Sequence, residues 1–417
     1  MGYWRRRTVP EVSRDAPFYF DPEEDGSMQR AVLYAFNNDE ARGQVIERGQ
    51  ESRCGLHVGK VRTANRGTVS RVPIERMQPR SIRSTPRPSC YLCGQPGAHL
   101  YEGLADRMFD TPGVWNIQRC SNTQCQLVWL DPRPVESDLG KLYESYYTHE
   151  GAPKHAQGEA SLEARLRWFV KFGCFPGTGA ERHELGLVLK GFQRLASFIL
   201  PPLVADLPAG KPGRLLDLGC GDGDLIRAAQ DRGWNAEGVD FDPAGVEFAR
   251  RRGLNVHLGS LVSQDYAAEQ FDAIVMSHVV EHLSDPIGVL QECHRVLKPG
   301  GRLILATPNV GSQFHRKFGK HWVHLDPPRH LYLFGVNTLT EVVRRSRFNN
   351  PLKCFTVLGA PFAYGASELI GRDGHFTARR DGTIAINLRA YSMILVELAN
   401  LKAGRHLGEE LRLMVDK

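Results

Sequence analysis

A glycine-rich, acidic turn lies within residues 215–225, LLDLGCGDGDL. Its glycines stand at alternate positions: Gly219, Gly221 and Gly223. Three aspartates surround them: Asp217, Asp222 and Asp224. Because glycine has no side chain, such a turn lets backbone N–H groups approach a ligand closely. The carboxylates would repel a pyrophosphate and attract a ligand with an ammonium and a sulfonium, so the turn favours S-adenosylmethionine over NAD.

Two cysteine pairs form a second chemical group. They are Cys90 with Cys93, and Cys120 with Cys125. Two such pairs about thirty residues apart can supply the four thiolates of a tetrahedral zinc site. Gly94 allows a tight turn after the first pair, whereas Gln126 stands where a glycine is common after the second. The pattern predicts structural zinc, because a four-cysteine site leaves no position open for a substrate; four free cysteines are the alternative.

Alternating strand and helix patterns surround the glycine turn and predict an α/β fold with a parallel sheet. An apolar strand at 215–218 precedes the turn, and a helix at 225–232 follows it. The next strand, 235–239, ends in Asp240, at the place where an acid binds ribose hydroxyls in dinucleotide folds. Further strands are predicted at 254–258, 271–277, 302–306, 352–358 and 408–416. Further helices are predicted at 161–172, 181–200, 242–252, 285–298 and 338–346.

Four motifs in this order resemble the class I S-adenosylmethionine-dependent methyltransferases. They are LLDLGCGDGDL (215–225), GVDFDP (238–243), FDAIVMSHVVEHLSDP (271–286) and HRVLKPGGRLILATPN (294–309). The resemblance implies a Rossmann-like seven-stranded sheet with helices on both faces, and it puts the strand at 408–416 on the antiparallel edge. The cysteine pairs, with LVWLDPRP and LYESYY after them, resemble a bacterial subgroup that has an N-terminal zinc ribbon. Members of that subgroup are linked to modification of sugars, surface polysaccharides and small metabolites.

The resemblance also implies a set of cofactor-binding residues. They are Asp217, Gly219, Cys220, Gly221, Gly223, Asp240, Phe241, Ser260, Leu261, Ser277 and His278. The glycines would face the methionine part of S-adenosylmethionine, Asp240 the ribose, and the turn at Ser260 and Leu261 the adenine. An acid often stands in that last turn. Backbone contact from Leu261 and recognition by the Ser260 side chain therefore both remain open.

Histidines are concentrated in the segment 310–334, beyond the fifth strand. They are His315, His321, His324 and His330. We expect this segment to bind the acceptor or to supply a base, with His330 as the first candidate base and His282 as the second. Metal binding is the competing interpretation, although no carboxylate is spaced to complete a site. The sequence Asp326-Pro-Pro-Arg329 is similar to a motif of amino-methylating nucleic-acid enzymes, but its position past the fifth strand and its arginine argue against that role.

Length and composition leave room for more than one domain. The chain has 417 residues, a net charge of +6 and a pI near 8.8. The predicted order is a disordered basic leader (1–85), a zinc-ribbon-like domain (86–135), a helical segment that covers the cofactor (136–210) and a methyltransferase domain (211–417) with an insertion at 361–405. Met77 is an alternative start of the natural protein.

The predicted reaction is methyl transfer to a small-molecule or sugar acceptor. The alternatives are an RNA or protein methyltransferase that grips its target with the ribbon, and a non-catalytic cofactor-binding module; nucleic acid is disfavoured as a partner. No apolar run reaches membrane-spanning length, and no signal peptide is evident. We therefore expect a cytoplasmic protein. The insertion at 361–405 is expected to cover the acceptor pocket or to form a homodimer contact.

Overall fold

A computed structural model provides the structure of the chain. It describes residues 81–143, 203–210, 212–349, 351–356, 360–376 and 407–417, with a few residues between 393 and 403. Most of the predicted leader, the helices predicted at 161–172 and 181–200, and much of the insertion at 361–405 lie outside the described residues. The described residues belong to one compact unit. None of the described helices is long and apolar enough to cross a membrane.

The cysteine-containing region forms short antiparallel strands. They are β1 (Ser84–Thr85), β2 (Gly97–Leu104), β3 (Trp115–Cys120), β4 (Val128–Asp131) and β5 (Arg133–Pro134). Strand β3 lies between β2 and β4, while β1 pairs separately with β5. Trp115, Val128 and Trp129 are at most 2% exposed, and Leu100 is half-buried. This small region therefore has an apolar core of its own.

The rest of the described chain is built around a seven-stranded sheet. Its strands are β6 (Arg214–Leu218), β7 (Asn235–Asp240), β8 (Val256–Leu258), β9 (Phe271–Ser277), β10 (Leu297–Pro308), β12 (Leu352–Thr356) and β13 (Glu410–Asp416). The order across the sheet is β12-β13-β10-β9-β6-β7-β8. Strands β6 to β10 pair in parallel, so their carboxyl ends meet at one edge. The predicted α/β, Rossmann-like seven-stranded fold is confirmed.

The position predicted for the last strand is wrong. Strand β13 is antiparallel as expected, but it lies between β10 and β12 instead of at the edge. Leu411, Leu413 and Val415 are at most 3% exposed, so an edge position would leave apolar side chains and backbone groups uncovered. Strand β12 takes the edge.

Helices cover both faces of this sheet. They are α1 (Asp224–Gln230), α2 (Pro243–Arg251), α3 (Pro286–Val296), α4 (Gln313–Phe318), α5 (Val336–Arg345) and α6 (Ala360–Asp373). Leu215 packs in the cluster that includes α1 and α2, whereas its neighbour Leu216 packs in the cluster that includes α3 and α5. Successive strand residues point to opposite faces, so the two clusters lie on opposite sides of the sheet. Asp242 caps α2 and Asp285 caps α3, each with proline at the first helical position.

A two-residue strand joins the cysteine-containing region to the main sheet. Strand β11 (Tyr332–Leu333) follows the histidine-rich segment and pairs with β4 as the fourth strand of the small sheet. The backbone N–H of Leu130 also donates to the carbonyl of Leu331 at 3.1 Å. One continuous apolar cluster includes residues of both regions. The small sheet therefore fixes the position of the segment that carries His330.

Candidate functional site

The glycine turn connects β6 to α1 at the carboxyl edge of the sheet. Gly219, Gly221 and Gly223 all have positive φ angles, of 74°, 51° and 80°. A Cβ at Gly219 would clash with the side chain of Val279, and one at Gly223 with that of Leu254. The turn therefore favours glycine at all three positions for backbone geometry, and at Gly219 and Gly223 for space as well.

Asp240, at the end of β7, is bound to the glycine turn. Its carboxylate accepts the backbone N–H of Gly221 at 2.7 Å and that of Asp242 at 2.9 Å. Burial raises the pKa of Asp240, although these backbone hydrogen bonds oppose the rise. Each carboxylate oxygen can accept a second hydrogen bond. The residue predicted to bind ribose hydroxyls thus also fixes the shape of the turn.

Aromatic and apolar side chains flank this acid. Phe241 is 49% exposed and meets the ring of Tyr143 edge-on, with the ring centroids 4.8 Å apart. Leu261 is buried, and the Ser260 hydroxyl accepts the backbone N–H of Ser263 at 3.2 Å. The Ser260 hydroxyl therefore stabilises its own turn, and the exposed Phe241 ring is a surface on which a planar base can stack.

The remaining predicted cofactor residues lie beside the turn. Asp217 and Cys220 are buried at the end of β6. A Cβ at Gly238 would stand 2.6 Å from the Cys220 sulfur, so Cys220 packs directly on β7. Ser277 ends β9 and is half-buried. The structure thus brings these residues to one edge of the sheet.

The four cysteines predicted as metal ligands converge. Their sulfur atoms all lie within 4.8 Å of one another. The sulfurs of Cys90 and Cys125 are 3.6 Å apart, and those of Cys93 and Cys120 are 3.3 Å apart. Zinc–thiolate bonds of about 2.3 Å in a tetrahedron imply sulfur–sulfur distances of about 3.8 Å. Gln126 adopts a φ of 55°, so it takes the conformation for which glycine is common. The donor set and its geometry fit zinc.

A cluster of histidines and carboxylates lies at the same edge, beyond β9 and β10. Glu281, His282 and His330 each offer a ligand atom within 4.8 Å of the others. Glu281 is fully buried; Thr307 donates to one of its oxygens at 2.9 Å, and the other oxygen has no hydrogen-bond partner among the described residues. Glu281 supplies a carboxylate from outside the histidine-rich segment, in which no carboxylate is spaced to complete a metal site. Such a set can share a proton or hold a divalent cation.

The two candidate bases differ in the partners of Nδ1. His330 Nδ1 lies 2.8 Å from the carbonyl oxygen of His324, which can only accept, so the neutral His330 ring carries its proton on Nδ1 and keeps a lone pair on Nε2. His282 Nδ1 lies 3.0 Å from the carbonyl oxygen of Arg329 and 3.1 Å from the hydroxyl of Tyr143, which can donate or accept. Burial and the adjacent His330 lower the pKa of His282 to about 4. A base that weak has little driving force near neutral pH, which favours His330 as the base.

His278 is different in character from these two residues. It lies between two carboxylates, with Nε2 2.9 Å from Glu410 and Nδ1 3.4 Å from Glu281. Burial opposes its protonation, but the two carboxylates raise the pKa of His278 above its ordinary value. His278 is therefore a cation near neutral pH and cannot act as a base there.

A buried arginine ties the histidine-rich segment to the small sheet. Arg329 is 1% exposed, and its two Nη atoms donate to the carboxylate of Asp106 at 2.7 and 2.9 Å. Its Nε donates to Asp326, and the guanidinium lies 4.4 Å from the centroid of the Phe109 ring. Arg329 distinguishes residues 326–329 from the similar motif of amino-methylating nucleic-acid enzymes. In this structure it links the segment next to His330 to Asp106, which follows β2.

Sequence analysis did not assign Glu281 or Asp106 to the site. Glu281 was visible beside His282, but its proximity to His330 depends on the packing of two loops that are far apart in the chain. Asp106 and Arg329 are 223 residues apart. The pair carries no local sequence signal.

Comparison with known proteins agrees with this geometry. A family model described as a methyltransferase domain matches residues 190–351. This chain contains a class I S-adenosylmethionine-dependent methyltransferase domain. The matched region includes the glycine turn, Asp240, His282 and His330, so the predicted cofactor-binding residues and both candidate bases lie within it.

Curated relatives that match this region include two O-methyltransferases from Pseudomonas aeruginosa and Cereibacter sphaeroides. The "Ubiquinone biosynthesis O-methyltransferase" of Pseudomonas aeruginosa (strain UCBPP-PA14) is 38% identical over 112 residues, which is 25% of this chain and 48% of that protein. The protein of the same name from Cereibacter sphaeroides (strain ATCC 17025) is 32% identical over 160 residues, 33% of this chain and 65% of that protein. The chain thus spans about half to two thirds of the length of these relatives.

A solved structure with a longer overlap is that of Haemonchus contortus phosphoethanolamine N-methyltransferase 2 in complex with S-adenosyl-L-methionine. It is 18% identical and covers 73% of this chain and 69% of its own, with a TM-score of 0.40. At that score the overlap carries no argument about function.

Proposed function

We propose that this protein transfers a methyl group from S-adenosylmethionine to an oxygen of a small-molecule acceptor. The observation that carries the proposal is the arrangement at one sheet edge of an acidic glycine turn, Asp240 and the cluster of Glu281, His282 and His330. The matched relatives are named for O-methylation, which favours oxygen as the attacking atom. Resemblance to the zinc-ribbon subgroup extends the class of acceptors to sugars and glycans.

The proposed cofactor contacts follow from the turn. Backbone N–H groups of residues 219–223 approach the methionine part, Asp240 accepts from the ribose, and Phe241 lies against the adenine. The carboxylates of the turn complement a ligand with an ammonium and a sulfonium. Bound S-adenosylmethionine supplies an electrophilic methyl group, whose bond to sulfur breaks as the acceptor oxygen forms its own bond to that carbon.

The chain's own contribution is orientation and removal of a proton. Holding the attacking oxygen in line with the methyl group supplies most of the rate enhancement in such a transfer. His330 Nε2 then takes the proton that the acceptor hydroxyl loses, and His282 is the next candidate for that role. The contact of His330 Nε2 with Asp326 Oδ2, at 3.9 Å, stabilises the imidazolium that forms.

We also propose a structural zinc ion bound by Cys90, Cys93, Cys120 and Cys125. The support is the convergence of the four sulfurs described above. Zinc would fix the turns at one end of the small sheet whose β4 pairs with β11. It would therefore help to position His330 without touching the acceptor.

Transfer of an isotope-labelled methyl group tests the proposed function. The full chain is incubated with labelled S-adenosylmethionine and with separated metabolite, glycan, RNA and protein fractions of its host. We expect label in the metabolite or glycan fraction, and less label with Asp240→Ala at a limiting concentration of S-adenosylmethionine. Label in RNA or protein would favour the alternative in which an RNA or protein methyltransferase binds its target through the zinc ribbon. Cofactor binding without transfer to any fraction would favour a non-catalytic module.

A further inference from the structure

A cavity lies where the small sheet meets the methyltransferase domain. Its volume is about 210 Å³, and its walls include Arg87, Tyr91, Trp129, Arg133, Ser284 and Tyr332. Strands β4, β5 and β11 contribute to it. Neither the cofactor turn nor the four-cysteine site contributes a wall residue, so the cavity is a separate feature of the fold.

Arg133 is a buried cation without a counter-ion among the described residues. It is 8% exposed, and no described carboxylate lies within 4.0 Å of its guanidinium. Its contacts are with Tyr332: Nη1 donates to the hydroxyl at 3.1 Å, and the guanidinium lies 5.6 Å from the ring centroid. Arginine stays protonated in proteins, so its charge must be compensated. The buried Arg329, by contrast, forms ion pairs with two carboxylates, those of Asp106 and Asp326.

A second guanidinium, that of Arg87, borders the cavity and forms no ion pair with the nearby acids. Arg87 is exposed and forms no ion pair with a described residue. Asp131 accepts the backbone N–H of Arg87 at 2.6 Å, and Asp285 caps α3 and accepts the hydroxyl of Tyr91. Neither acid forms an ion pair with Arg87 or Arg133. The cavity wall itself contains these two arginines and no acidic residue.

The remaining walls suit a flat apolar body. The rings of Tyr91 and Tyr332 are 5.3 Å apart between centroids, and Trp129 contributes a third aromatic surface. A cavity of about 150 Å³ is enough to hold benzene. The observed volume therefore accommodates a six-membered ring with one charged substituent.

We propose that this cavity binds a small molecule with an anionic group, a carboxylate or a phosphate monoester, on a planar ring. Arg133 binds the anion from inside and Arg87 from the rim, while the aromatic residues enclose the ring. Arginine pairs with carboxylate and phosphate through parallel N–H groups, which suits either anion.

The cavity adjoins the segments that carry the candidate bases. Ser284 is two residues from His282, and Leu331, another wall residue, follows His330. The N–H of Leu331 also donates to the carbonyl of Glu281 at 2.9 Å. We assign the cavity as the subsite for the anionic end of the methyl acceptor. This role rests on the proposed function, whereas anion binding does not.

Calorimetric titration of the full chain, without cofactor, tests the site. The probes are benzoate, phenyl phosphate and the neutral isostere benzamide. We expect saturable binding of at least one anion, and the stronger of the two identifies the charged group. Benzamide should bind at least about tenfold more weakly, because it lacks the charge-assisted hydrogen bonds.

Variants localise the binding to this cavity. Arg133→Gln should weaken anion binding about 10- to 100-fold, and Arg87→Gln should weaken it less because its guanidinium is solvated. Tyr332→Phe is the matched control, since it keeps the ring and the charge of Arg133 and should bind within a few-fold of wild type. Thermal unfolding and zinc content check that each variant folds.

Three results would overturn the proposal. The first is that benzamide binds as tightly as the anions, and the second is unchanged anion affinity in Arg133→Gln and Arg87→Gln. The third is that the wild type shows no saturable anion binding. If Arg133→Gln does not fold, the variant of the exposed residue, Arg87→Gln, and the comparison of anions with benzamide in the wild type still test whether the cavity binds an anion. S-Adenosylmethionine titration and methyl transfer are read separately, so failure of this subsite leaves the proposed function standing.

Discussion

Replacing Arg329 by alanine should be among the most destabilising single changes in the described part of the chain. The variant removes a guanidinium that forms two hydrogen bonds with Asp106 and contacts Asp326. Asp106 is 5% exposed, so its carboxylate would remain buried without its cationic partner. Removing one partner of such a pair costs about 3–5 kcal/mol, because the remaining charge is uncompensated.

The stability that Arg329→Ala loses should depend on pH in a definite direction. Burial alone would raise the pKa of Asp106, but the hydrogen bonds and charge of Arg329 outweigh burial and lower it. A carboxyl whose folded-state pKa is depressed stabilises the fold above its unfolded pKa of about 3.9. That contribution disappears as the pH falls through the folded value. The stability difference between wild type and Arg329→Ala should therefore be full at neutral pH and shrink below about pH 4.

Urea unfolding at several pH values measures this difference without screening the charges. Arg344→Ala is the matched control, because Arg344 is paired with Glu341 on the exposed surface of α5. We expect that control to unfold near the wild-type midpoint. A double variant, Asp106→Ala with Arg329→Ala, should lose less than the sum of the two single losses. If Arg329→Ala were as stable as Arg344→Ala, the buried pair would not join the small sheet to the histidine-rich segment as we argue.

Three further predictions concern the base, the metal and the acceptor class. His330→Ala should lower turnover about 10²- to 10⁴-fold with cofactor affinity unchanged, and the acidic limb of the pH–rate profile should disappear; near-normal turnover with that limb intact would make His282 the next residue to test. Metal analysis of never-chelated protein should find about one zinc per chain, lost in Cys93→Ser combined with Cys125→Ser, and zinc-free wild type would contradict the site. Any RNA affinity should fall steeply with salt and vanish without residues 1–85; tight RNA binding by the shortened chain would favour a nucleic-acid acceptor.

The parts of the site that sequence could predict are those built from neighbouring residues. Gly219 to Gly223, with Asp240 one strand further on, carry their geometry in their spacing, since each follows directly from a buried strand. The cysteine pairs are equally local. Helix starts such as Asp242-Pro243 were also readable, because the cap and the first turn are adjacent in the chain.

The remaining features depend on which strands become neighbours. Alternating residues 410–416 indicate a strand, but the pattern does not say that β10 and β12 lie on either side of it. The proximity of Glu281 to His330 and the ion pair between Asp106 and Arg329 accompany the pairing of β11 with β4. That pairing involves two residues of β11, too few for a periodic signal.

Titration with S-adenosylmethionine and with NAD tests the central claim most directly. We predict that the wild-type chain binds S-adenosylmethionine and its demethylated product and does not bind NAD. Asp240→Ala should weaken binding by about 1–3 kcal/mol, because it removes a charged acceptor for the ribose and for the N–H of Gly221. Tight binding of NAD, or an affinity for S-adenosylmethionine that is unchanged in Asp240→Ala, would contradict the assignment of this edge of the sheet as the cofactor site.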